Sequence, residues 1–113
     1  MVTTAATRAQ SEPPKAFLHC SGQTVDHKGT KHTIAIYSKT ATMDFEKYTL
    51  YSDDAHYTLQ ADQPPLDMPL GSHWIVIVAI NRVTGSYEIS NGRTVAQQVK
   101  TEQGTCAKMD RKL

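Results

Sequence analysis

The chain has no long apolar run. Its most hydrophobic stretch, Trp74 to Ile80, is far shorter than the about 20 residues that a membrane-spanning helix requires. It also has no excess of either charge. Twelve Lys and Arg stand against eleven Asp and Glu, so no global field draws it to nucleic acid or to an anionic membrane. Catalytic signatures are missing as well. There is no Gly-x-Ser-x-Gly elbow for a serine nucleophile, no glycine-rich phosphate loop and no Cys-x-x-Cys pair for metal or redox work. Five histidines are present, but no two have the spacing of metal ligands on one face. Asp26 with His27, and Asp53 and Asp54 with His56, could face a cation at a loop, yet turn preference alone accounts for these aspartates. His19 abuts Cys20, but neighbours on a strand point to opposite faces and cannot cooperate. These absences predict no catalytic residue, no metal and no cofactor. No stretch reads as a long amphipathic helix.

What remains is β structure. Trp74 to Ile80 is bounded by Gly71 and Asn81 and is rich in β-branched residues, which predicts a central strand buried on both faces. Around it the sequence alternates apolar and polar residues in short segments. Lys15–Ser21, His32–Ser38, Glu46–Ser52, Ala55–Gln60, Ser86–Ser90 and Arg93–Thr101 all read as strands. Lys39–Phe45 either extends a strand or turns at Met43-Asp44. Asp53-Asp54 and Asn81–Gly85 read as hairpin turns, and Asn91-Gly92 is the strongest two-residue turn signal in the chain. Three prolines in 61–72 exclude a central strand there. The expectation is an all-β domain: one antiparallel meander of six to eight strands forming a small barrel, half-barrel or sandwich.

The domain is predicted over residues 15–107, between a disordered N-terminal tail, 1–14, and a C-terminal tail, 108–113. The first tail is rich in Thr, Ala, Ser and Pro and has no apolar block. Hence no export signal is read there, and an exported address implies that the signal has been removed. Cys20 and Cys106 lie near opposite ends of the domain. Their placement predicts a disulfide, which would close a loop of about 86 residues and put the protein in an oxidising compartment.

Trp74 to Cys106 resembles a recurring pattern in small exported proteins of Gram-negative bacteria. There, an apolar strand runs into Ile-Asn-Arg-x-Thr-Gly, as at Ile80–Gly85, and the chain ends close to a Gly-x-Cys, as at Gly104-Thr105-Cys106, with an early cysteine and glycine like Cys20 and Gly22. The resemblance implies a periplasmic or secreted β-rich domain and no particular activity. Thr84-Gly85-Ser86-Tyr87 is also similar to the Ser-Gly-x-x-Tyr loop of periplasmic inhibitors of C-type lysozyme, one residue shorter and with Thr for Ser. That likeness implies a disulfide-bearing β-barrel that binds an enzyme.

Three functions stand as expectations: a non-enzymatic exported binding module, a lysozyme-type inhibitor, and a carrier of a small molecule in a barrel cavity. The expected contact surface comprises Thr84, Gly85 and Tyr87 with Leu66 and Met68 of the proline-bearing loop, since loops on a rigid scaffold carry function. The partner is an unidentified protein or small molecule, with no nucleic acid and no membrane span. The chain is read as a monomer, or as a homodimer paired along an exposed edge at Thr94–Lys100.

Overall fold

A computed structural model describes residues 13–62 and 74–108. It contains eight strands: β1 (Ala16–Thr24), β2 (Thr30–Ile36), β3 (Thr40–Met43), β4 (Glu46–Ser52), β5 (His56–Asp62), β6 (Ile75–Asn81), β7 (Ser86–Gly92) and β8 (Gln98–Lys108). Each pairs antiparallel with the next, and β8 pairs with β1, so the meander closes into a barrel. The tails 1–12 and 109–113 and the loop 63–73, which includes Leu66 and Met68, lie outside the described residues.

Alternation along each strand sends one face inward. Leu18, Ile34, Ile36, Ala41, Tyr48, Leu50, Leu59, Val78 and Ile80 fill the interior as one cluster. β6 is a central strand with partners on both sides. Its burial on both faces is not observed. Val78 and Ile80 are buried, whereas Ile75, Ile77 and Ala79 are only half-buried, because a single-layered barrel turns its outer face to solvent.

The seam is built on the cysteines. Cys20 and Cys106 face each other across β1 and β8 with Cα atoms 3.9 Å apart and are joined by a disulfide. Two residues along, Gly22 faces Gly104. Tyr87 projects over this glycine pair from β7: a Cβ on Gly104 would come within 2.7 Å of its ring, and one on Gly22 would collide with its hydroxyl. Glycine is required here for close approach of a ring to backbone.

The turns at Asp53-Asp54 and Asn81–Gly85 lie where the sequence signals placed them, but the one at Asn91-Gly92 does not. Asn91-Gly92 belongs to β7, and the connection is 93–97, so β8 starts at Gln98 rather than Arg93. Gly92 is needed because a side chain would strike the Gln97 carbonyl, not because it adopts a left-handed conformation. The left-handed pair lies instead at Asp44 (φ 53°) and Phe45 (φ 75°), a two-residue connection between β3 and β4. Positive φ at both central residues is the geometry of a type I′ turn, which normally selects Asn-Gly or Asp-Gly. The edge expected at Thr94–Lys100 is also curtailed. β8 has neighbours on both sides from Glu102 to Thr105; 98–101 pairs with β7 alone and 106–108 with β1 alone.

Removing the sulfur bridge with Cys20→Ala and Cys106→Ala is expected to cost about 4–5 kcal/mol of unfolding free energy, the chain-entropy value for a loop of this length. Denaturant titration of the double variant against the oxidised wild type measures it.

Candidate functional site

In an up-and-down barrel, alternate connections emerge at the same end. The β1–β2, β3–β4 and β7–β8 connections therefore share one end, and β2–β3, β4–β5 and β6–β7 the other. The first end holds a chain of polar groups that begins inside the barrel and finishes at its rim.

Glu102 faces inward on β8, between Ile89 and Thr24 in register, and is the one buried charged residue among the described residues. Its Oε2 accepts from the Tyr87 hydroxyl at 2.6 Å, from the Thr30 hydroxyl at 2.9 Å, and lies 2.7 Å from His32 Nε2. The other imidazole nitrogen, Nδ1, lies 2.6 Å from Asp44 Oδ2. Asp44 Oδ1 accepts the Thr33 amide at 3.0 Å. Tyr87 also meets the His32 ring edge-on, with centroids 6.3 Å apart and planes at 88°. An ionised carboxylate only accepts hydrogen bonds, so both ring nitrogens must carry hydrogen to satisfy this geometry. Below its raised pKa, His32 is an imidazolium held between two carboxylates.

Burial opposes the charges on His32 and Glu102, and hydrogen bonding overrides it at both. The His32 ring is pushed down by burial, but the hydrogen bonds and charges of Asp44 and Glu102 carry its pKa above the ordinary 6.5. Burial raises Glu102, but the donors Tyr87, Thr30 and His32 bring it below 4.5. Tyr87, buried and donating to a carboxylate, is pushed up to about 12 and stays protonated. The polar chain is no metal site: among the described residues no His, Cys, Asp and Glu form a metal-binding group. Its chemistry is that of a proton-dependent tie.

The tie ends at a strained tip. Asp44 shares the left-handed turn with Phe45, whose side chain is 100% exposed. The neighbouring connections at this end add Val25 and Val95, exposed by 94% and 59%.

At the opposite end, Thr84 and Gly85 do lie on a surface turn. Asn81 Oδ1 accepts the Val83 and Thr84 amides, Thr84 and Ser86 hydroxyls meet at 3.0 Å, and Gly85 takes φ 84°. Tyr87, expected beside them in the contact surface, is instead buried, because alternation turns it inward onto Glu102. Beside this turn lies a recess of about 200 Å³ floored by Leu18 and Ile80, where the Arg82 guanidinium covers the Tyr57 ring at 4.4 Å. A larger hollow of about 550 Å³ is an open trough on the outer wall, bordered by Ser21, Gln23, Glu88 and Gln103. Side chains occupy the barrel interior.

Histidine spacing could not reveal the site, since its ligand-like partners come from distant strands. One signal was available. His32 shares a face with Ile34 and Ile36, and Glu102 shares one with Gly104 and Cys106. No family model, curated protein or solved structure matches the chain. Among the described residues no helix is long and apolar enough to cross a membrane.

The pKa directions fix a stability profile. His32, raised on folding, contributes stability that is full below pH 6.5 and is lost as pH rises through its raised value. Glu102, lowered on folding, contributes stability that is full above pH 4.5 and is lost as pH falls through its lowered value. The unfolding midpoint in denaturant is expected to peak between these limits and to decline on both sides; Glu102→Gln should flatten the acid limb.

Proposed function

We propose that this protein is an exported, non-enzymatic binding module that makes contact through the loop tips at the barrel end bearing Phe45. One observation carries the reading. A bulky aromatic residue occupies a left-handed turn position that suits glycine, and it gains no burial there. A residue in such a conformation costs roughly 1–3 kcal/mol, and strain of this kind concentrates at functional sites. Aromatic side chains are also prominent among the residues that dominate protein interfaces. Val25 and Val95 extend the apolar character of the same end.

The Cys20–Cys106 bridge supports an oxidising, extracytoplasmic address. The inhibitor reading draws no support from Tyr87, which is turned toward Glu102. The carrier reading draws little, since the end recess of about 200 Å³ is below the usual size of a ligand pocket.

Phe45→Gly separates stability from contact. It converts the turn to Asp-Gly and removes no buried surface, so unfolding free energy is expected to rise by about 1 kcal/mol. A species of the extracytoplasmic fraction held by the immobilised wild type should be held about tenfold less well by the variant, the loss expected for one interface anchor. A variant that is less stable, or that retains the same species equally, overturns the assignment.

A further inference from the structure

The inference concerns how the Phe45 tip is regulated, and it rests on the reading of that tip as a contact. Four elements besides its own strand surround His32. The β3–β4 turn brings Asp44, β8 brings Glu102, β7 brings the Tyr87 ring edge, and β1 brings Cys20, which is opposite in register and locked in the disulfide. On its own strand, Thr30 donates to the same Glu102 oxygen. The imidazole therefore bridges one carboxylate at the rim to one in the interior.

The two carboxylates differ in what they lose if a proton leaves. A neutral imidazole keeps one N–H and turns a lone pair toward the other carboxylate. The Glu102 side chain is 9% exposed, so an uncompensated charge there is costly, and the remaining N–H belongs with it. The Asp44 side chain is 48% exposed and can turn to water. Deprotonation thus breaks the outer contact first. Asp44 then no longer ties the turn to the His32 ring, in a segment whose two central residues are already held at positive φ.

We propose that the Asp44–His32–Glu102 chain is a proton-operated brace on the β3–β4 hairpin, tightening the Phe45 tip while the imidazole carries both hydrogens and loosening it when one leaves, with Asp44 then held to β2 only through Thr33. The contact is therefore favoured at mildly acidic pH and weakened at mildly alkaline pH.

Solution NMR of the full oxidised chain tests the brace without any partner. Across a titration from mildly acidic to mildly alkaline pH, the His32 ring nitrogens should both be protonated at the acid end and should titrate with a midpoint above 6.5. The Thr33 and Phe45 amide signals should move with the same midpoint. Asp44→Asn removes the exposed partner while leaving buried Glu102 neutralised. It should lower the His32 midpoint and abolish the linked movement of Phe45. A wild-type midpoint at or below 6.5, a Phe45 signal indifferent to His32, or an unchanged midpoint in Asp44→Asn overturns the brace. Because no binding is measured, these outcomes are independent of whether Phe45→Gly loses a partner.

Discussion

The sulfur bridge between Cys20 and Cys106 joins the first strand to the last and fixes their register. Once those residues oppose each other, Gly22 must face Gly104 and Thr24 must face Glu102, because antiparallel pairing steps both strands together. The glycine pair leaves space above the seam, and Tyr87 fills it from β7. The same register puts Glu102 inside the barrel. One covalent constraint thus determines where an aromatic ring lies and where a charge is buried.

A buried carboxylate destabilises a small core unless donors surround it. Here the compensation is local and complete in kind: a phenol, a hydroxyl and an imidazolium converge on one oxygen. The imidazolium brings its own demand, since its second nitrogen requires another acceptor, and Asp44 at the rim supplies it. Each polar group exists to satisfy the one before it, and the series reaches the surface at a strained turn. In such a network the low local dielectric strengthens the ties that are made and penalises any left unmade. The interior of the barrel is in this way mechanically connected to an exposed aromatic residue.

Much of the architecture was legible because strand alternation and turn residues are local. The inward set Leu18, Cys20, Tyr48, Leu50, Leu59, Val78 and Ile80 follows from counting by twos, and the disulfide follows from the placement of two cysteines. Asn91-Gly92 misled for a physical reason: glycine serves both left-handed turns and close packing, and only the fold shows which use applies. The turn at Asp44-Phe45 was half legible: a turn at Met43-Asp44 was one of two readings, and Asp44 suits a left-handed position, but Phe45 is a poor choice for one. A locally unfavourable choice is where sequence reasoning fails and where a functional demand is to be sought. The polar chain escaped notice because His32, Asp44, Tyr87 and Glu102 come from four different places in the sequence. Tyr87 was assigned to the contact surface, but along β7 it alternates inward with Ile89 and is buried.

The account depends on closure of the barrel at the seam. Backbone hydrogen exchange resolved by residue is the direct measurement. A closed barrel predicts that the amides of 18–24 and 102–108 that bond across the seam exchange as slowly as those of the central strand β6. Rapid exchange along both seam strands, with β6 still protected, would mean an open sheet, and would leave Glu102 outside any enclosed network.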